Sequence, residues 1–318
     1  MRRDDLDWFK MLSVKHILSA RDLTKKDVEL ILQTARSLKE ISYRPIKKVP
    51  TLRGKQILLC FFEDSTRTRL SFDIACKRLS ADTSVVSKSG SAISKGETIL
   101  DTVKNLAAMQ ADIAVIRHKE AGVPWQVAQA FPNMSVINAG DGMHEHPTQA
   151  LLDLMTIQDA KGDVAGLNVA IVGDIYHSRV ARSNMILLKK MGAQVHVAAP
   201  GTFLPAEVEK YSVKVHSSLK SVAKVADVIM MLRIQRERMD SFFFPSEREY
   251  SKFFGLDASV MKHAKSDVVV MHPGPVNRGL ELSPDVADGP HSVILDQVEN
   301  GVAVRMALIY LLCGMQGA

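Results

Sequence analysis

The sequence predicts an α/β protein of two doubly wound parallel-sheet domains, with the functional site in the cleft between them. Three observations carry that prediction. The chain has 318 residues, more than one hydrophobic core usually serves, so two cores are expected. Several of its strand-like segments are continuous apolar runs rather than alternating ones, as strands covered on both faces require. These runs alternate with helical segments in two series that meet at Lys161-Gly162-Asp163, and a strand–helix–strand rhythm means βαβ units.

Thr24 and Asp27 form the Asp variant of a capping box. Val28, Ile31, Leu32, Ala35 and Leu38 then recur at helical spacing, which predicts a helix over 25–40. The run Gln56-Ile57-Leu58-Leu59-Cys60-Phe61-Phe62 is short and wholly apolar after its first residue, and reads as a buried strand. Further strands are expected at 83–87, 112–117 and 135–138, with a helix over 97–110 between the first two. Pro147 suits the first turn of a helix running to about 160. The second series places strands at 168–172, 194–198, 213–215, 228–232 and 267–271. A last helix over 302–313 is expected to return to the first domain. The predicted division is therefore 1–150 with a returning segment at about 302–316, and 151–301.

Composition narrows the function classes. Apolar residues make up 46% and charged residues 24% of the chain, as in ordinary soluble domains. No segment reaches the roughly 18 uninterrupted apolar residues that span a bilayer, and the longest candidate, 302–315, contains Arg305. Acids at Asp4, Asp5 and Asp7 speak against a secretory leader, so a cytoplasmic location is expected. Cys60, Cys76 and Cys313 show no metal-ligand or redox spacing and read as buried small hydrophobes. The net charge of +6 is spread over scattered basic pairs rather than a patch. That fits small anionic ligands better than nucleic acid.

The chemistry concentrates at the ends of predicted strands. Glu63-Asp64-Ser65-Thr66-Arg67-Thr68-Arg69 follows the first buried strand and opens a helix. Its unpaired backbone N–H groups, three hydroxyls and a guanidinium make a phosphate cradle without glycines. Gly173-Asp174-Ile175-Tyr176-His177-Ser178-Arg179 also follows a strand, yet lacks the G-x-G-x-x-G of a dinucleotide site. Arg233-Ile234-Gln235-Arg236-Glu237-Arg238 follows the 228–232 strand, where open α/β sheets bind ligands and a guanidinium suits a carboxylate.

Ser65-Thr66-Arg67-Thr68-Arg69, His146-Pro147-Thr148-Gln149 and His272-Pro273-Gly274-Pro275, in that order, resemble the motifs of the aspartate/ornithine carbamoyltransferase family. The resemblance covers most of the chain. It implies that Ser65, Thr66 and Arg67 bind the phosphate of carbamoyl phosphate, and that Thr68, Arg117 and His146 polarise the carbamoyl carbonyl. Gln149 would contact the amide end of the carbamoyl group. Ser91 and Lys95 match a loop that enters the site of a neighbouring subunit, so a homotrimer is implied. Arg179 would meet a carboxylate of aspartate, Arg233 and Gln235 its side-chain carboxylate, while Pro273 and Gly274 also line the substrate, Gly274 largely through its main-chain carbonyl. A cis Gly274–Pro275 peptide is part of the same resemblance.

The implied reaction is direct attack of an amine on carbamoyl phosphate, with no cofactor and no metal. A cationic Arg233 would repel ornithine, and the cysteine that ornithine enzymes carry near Pro273 is missing, so aspartate is the expected acceptor and ornithine the alternative. A silent scaffold would have lost such residues, and a nucleotide-binding oxidoreductase would need the missing glycines. A regulatory chain or dihydroorotase is a candidate partner; neither nucleic acid nor membrane is expected.

Overall fold

Residues 11–87, 98–235 and 246–314 are described by the computed structural model. They divide into two units. The first holds the described chain up to Gly142, His146–Thr148 and the segment from Asn300 onward; the second holds Met143–Glu145 and Gln149–Glu299.

In the first unit, β1 (Gln56–Phe61), β2 (Asp82–Ser87), β3 (Ile113–His118) and β4 (Ser135–Asp141) form a parallel sheet in the order β2-β1-β3-β4. The apolar run of β1 is buried from Ile57 onward, whereas edge strand β2 is largely exposed. The two edges differ, since β4 at the opposite edge is buried throughout, and the continuous burial of β1 is what coverage on both faces demands. Helices α1 (Lys25–Lys39), α2 (Thr66–Arg78), α3 (Ile99–Ala107) and α4 (Val123–Ala130) belong to this unit.

The capping box at the start of α1 is formed in both directions, and Asp27 also accepts from the Ser13 backbone and hydroxyl at 2.7 and 2.6 Å. Helix α1 ends at Lys39, one residue before the predicted end, and the chain tightens into a 3-10 turn from Glu40.

In the second unit, β5 (Asn168–Val172), β6 (Gln194–Ala198), β7 (Lys214–His216), β8 (Val228–Met231) and β9 (Val269–Met271) are ordered β7-β6-β5-β8-β9, all parallel. Helix α5 (Pro147–Lys161) precedes them and α6 (Arg179–Lys190) follows β5. The later helices are α7 (Leu219–Ala223), α8 (Glu247–Phe254), α9 (Ala258–Met261), α10 (Pro284–Ala287) and α11 (Ile294–Gly314), the last belonging to the first unit from Asn300 onward. Of these, α11 begins eight residues before its predicted start. Its first turns alternate exposed Leu295 and Val298 with buried Gln297 and Asn300, so an apolar-run search registers only the later part.

The two sheets share a device at their amino ends. Asp112, just before β3, accepts from the backbone N–H of Gln56 at 2.8 Å and pairs with Lys55 at 2.8 Å. Asp227, just before β8, accepts from the backbone N–H of Asn168 at 2.8 Å and pairs with Lys265 at 2.6 Å. Each aspartate ties the first residue of one central strand to its neighbour and so fixes the register between them.

Candidate active site

Each sheet reverses its strand order once. The first runs from β1 outward to β2, then returns to place β3 on the other side of β1. The second runs from β5 through β6 and β7, then places β8 on the far side of β5. Loops leaving the carboxyl ends of such a strand pair diverge and open a crevice, the usual ligand position in open α/β sheets.

At the first reversal, the loop after β1 leads into α2. Ser65 is the N-cap, yet its side chain makes no capping hydrogen bond. By contrast Ser178, Ser218 and Ser246 all cap their own helices. A helix start that its own N-cap side chain does not close is the kind of position at which anions bind. Thr66 and Arg67 are exposed, while Thr68 is buried.

Arg117 stands beside this turn, because Phe61 and Arg117 are partners in the ladder and Phe62 N–H donates to the Arg117 carbonyl at 2.9 Å. Opposite it the β4 ladder is irregular, with Ile116 paired to Asn138 but His118 to Asp141. Such a bulge re-aims the side chain beside it. The guanidinium donates to Glu63 Oε1 at 3.0 Å and to the Ala139 carbonyl at 3.2 Å. His146 follows β4; it is buried, with Nδ1 3.4 Å from the Thr148 hydroxyl.

At the second reversal, Gly173 follows β5 directly with φ +123°, and a Cβ there would lie 2.9 Å from the Leu232 carbonyl and 3.0 Å from the Tyr250 hydroxyl. Only glycine fits where the two post-strand segments pass so closely. Asp174, fully buried, holds both segments: it accepts from the His177 backbone at 3.1 Å and the Gln235 backbone at 3.2 Å, with His177 Nδ1 at 2.9 Å. Arg233 and Gln235 brace each other, the guanidinium donating to Gln235 Oε1 at 3.3 Å and Gln235 Nε2 to the Arg233 carbonyl at 3.3 Å. Arg179, the first residue of α6, is 3% exposed.

The segment after β9 carries Pro273 and Gly274, and the Gly274–Pro275 peptide is cis. Gly274 N–H donates to His272 Nδ1 at 2.8 Å. The other ring nitrogen, 3.2 Å from Glu281 Oε1, therefore carries the proton. Gln149, near the start of α5, donates to Asp153 Oδ1 at 3.0 Å.

Among the expected site residues, Ser65, Thr66, Arg67, Thr68 and Arg117 gather at the first reversal, while Gln235, Arg233 and the Gly173–Arg179 turn gather at the second. Ser91 and Lys95 lie outside the described residues. Sequence reasoning gave no role to Glu63, Asp153 or Asp174. Asp153 carried a signal, an acid between Leu152 and Leu154 in a helix otherwise apolar at that level; Asp174 stood inside a motif read for its glycine and arginine. All three cysteines are free and buried, and burial pushes each thiol up to about 12.

Residues 15–159 match the family described as aspartate/ornithine carbamoyltransferase, carbamoyl-P binding domain, and residues 165–312 match the corresponding Asp/Orn binding domain. A protein of Desulfosudis oleivorans, named aspartate carbamoyltransferase catalytic subunit, is 58% identical over 305 residues, covering 96% of this chain and 98% of its own. A protein of the same name from Syntrophus aciditrophicus is 60% identical over 300 residues, covering 94% and 97%. Aspartate transcarbamoylase from Trypanosoma cruzi, solved with N-(phosphonacetyl)-L-aspartic acid, superposes with TM-score 0.84 at 31% identity, covering 94% of this chain and 96% of that one. Ornithine carbamoyltransferase from Pyrococcus furiosus superposes almost as well, with TM-score 0.83 at 31% identity over 94% and 97%.

Proposed function

The chain belongs to the aspartate/ornithine carbamoyltransferase family, and from that premise we infer that it transfers the carbamoyl group of carbamoyl phosphate to the amine of L-aspartate. The products are N-carbamoyl-L-aspartate and phosphate. The fold alone does not choose the acceptor, since aspartate and ornithine enzymes superpose on it about equally. The observation that carries the choice is the near-full-length similarity to aspartate carbamoyltransferase catalytic subunits. Arg233 supplies the physical reason: a guanidinium attracts a carboxylate and repels the ammonium of ornithine.

The assignment of roles is part of the proposal. Residues 1–150, with 302–316 packed back on them, form the carbamoyl phosphate domain, and 151–301 form the aspartate domain. Ser65, Thr66 and Arg67 take the phosphate, together with Ser91 and Lys95 from a neighbouring subunit of a homotrimer. Thr68, Arg117 and His146 donate to the carbamoyl oxygen, and Gln149 meets the carbamoyl nitrogen. Arg179, Arg233 and Gln235 hold aspartate, with the carbonyls of Pro273 and Gly274 completing its setting.

The neutral amine attacks the carbonyl carbon, a tetrahedral oxyanion forms, and the C–O bond to phosphate breaks. The departing phosphate takes the amine proton. Catalysis then rests on positioning and on donors already aimed at the developing negative charge. His146 acts as a donor to the oxyanion. Such a reaction feeds de novo pyrimidine synthesis in the cytoplasm, where a regulatory chain or dihydroorotase would be the associated partner.

The test offers purified chain carbamoyl phosphate with either L-aspartate or L-ornithine and measures ureido product. Product with aspartate is expected; turnover with ornithine alone would overturn the reading.

A further inference from the structure

Asp153 lies one turn beyond Gln149 on α5 and is fully buried, as are Leu151, Leu154 and Met155 of the same helix. A carboxylate so placed is tolerable only when donors satisfy it. Amides from three helices converge on it. Gln149 of α5 and Gln297 of α11 both donate to Oδ1, at 3.0 and 2.8 Å, and Asn184 of α6 donates to Oδ2 at 2.8 Å. Gln297 uses its own oxygen to accept the His272 backbone N–H at 2.9 Å.

The consequence for Gln149 is polarity. A carboxamide has a donor end and an acceptor end, whereas a carboxylate only accepts. Asp153 therefore takes the NH2 end of Gln149, and Oε1 is the atom left for a ligand. An acceptor at that point favours a group bearing N–H over one bearing a methyl or an oxygen.

We propose that Asp153 is a positioning residue for carbamoyl transfer, fixing Gln149 with its oxygen toward the substrate so that the site selects the NH2 of the carbamoyl group. The proposal rests on the reading of Gln149 as the contact to the carbamoyl nitrogen. Acetyl phosphate, with methyl in place of that NH2, and inorganic phosphate, which has neither, are the probes that isolate this contact.

In the Asp153→Asn variant, carbamoyl phosphate should bind about tenfold more weakly, as loss of a buried charge-assisted hydrogen bond implies. Inorganic phosphate should bind as before, and the preference for carbamoyl over acetyl phosphate should shrink. In a Gln149→Met background, Asp153→Asn should add no further loss of carbamoyl phosphate affinity, because both act through one contact. Should Asp153→Asn alone leave too little folded protein, the paired Gln149→Glu and Asp153→Asn variant matches donor to acceptor again. It should bind carbamoyl phosphate better than Gln149→Glu does by itself.

An unchanged carbamoyl-to-acetyl preference overturns the inference, as does an equal loss of carbamoyl phosphate and inorganic phosphate, or a pair no better than Gln149→Glu. A wild-type chain that binds no carbamoyl phosphate overturns the assigned reaction and this inference together. A wild type that turns over beside an Asp153→Asn variant of unaltered preference overturns the inference alone.

Discussion

In the proposed assignment two arginines divide the labour between the substrates, and the surroundings of each bear on how that division can be tested. Arg67 is exposed on the first turn of α2, where the N-cap Ser65 side chain makes no capping hydrogen bond. Removing it takes away the charge that the proposed function assigns to the phosphate, without opening a cavity. Arg67→Ala should therefore lower kcat by about a hundredfold, the usual cost of losing one preorganised anion donor, with an unchanged melting temperature. A circular-dichroism melt beside a turnover assay checks both halves of that statement. Arg233 is braced by Gln235, whose backbone is in turn held by buried Asp174. Arg233→Ala should raise KM for aspartate far more than KM for carbamoyl phosphate; ordinary aspartate saturation in this variant would refute its role. The arginines themselves were legible from sequence, because each follows a strand that its apolar run reveals. Glu63 and Asp174, which orient neighbouring groups, were not, since their partners are 54 and 61 residues away in the chain.

At the scale of elements, the central strands were the clearest feature in the sequence. Burial on both faces leaves an uninterrupted apolar run, as in β1 and β5, whose bounds agree with expectation to within a residue. Short strands fared less well: β9 begins at Val269 because Asp267 and Val268 precede its ladder with β8. What holds the registers is also invisible to periodicity. Asp227 reaches the backbone of Asn168 and the ammonium of Lys265, and these hydrogen bonds keep its carboxyl below the usual range despite the opposing effect of burial. Asp227→Ala leaves the half-buried Asn168 N–H without its acceptor, and should cost about 1 kcal/mol of stability, the low end of the range for an orphaned donor. Denaturant unfolding measures this directly, and a loss near zero would mean that the β5–β8 register needs no clamp.

For the molecule as a whole, acid stability should turn on a histidine pair in the second unit. His196 on β6 is hydrogen-bonded at Nδ1 to His216 at 2.8 Å and at Nε2 to Asn168 at 3.0 Å. Burial, then the nearby His216 and Lys214, depress His196 from 6.5 to about 4. The folded chain thus refuses a proton that the unfolded chain binds below about 6.5. Its contribution is fully present above that pH and is lost progressively as pH falls toward 4. The melting temperature should decline over that interval, and His196→Asn should flatten the decline; equal slopes in the two proteins would remove His196 from the account. Among the described residues, no helix is long and apolar enough to cross a membrane.

By itself the sequence determined the two series of βαβ units, the strand ends where anion-binding groups cluster, and, through ordered motifs, the family. These are local properties, since apolar runs, caps and motif spacing are all written within a few residues. Strand order was decided only by the tertiary structure. The same elements could pair in other sequences, and nothing in β1 or β3 announces that they lie side by side. Their adjacency, and that of β5 and β8, puts Arg117 beside the α2 N-terminus and Gln235 beside Asp174. The buried carboxylates were likewise settled in three dimensions, because a buried charge is defined by donors that the fold gathers from distant helices.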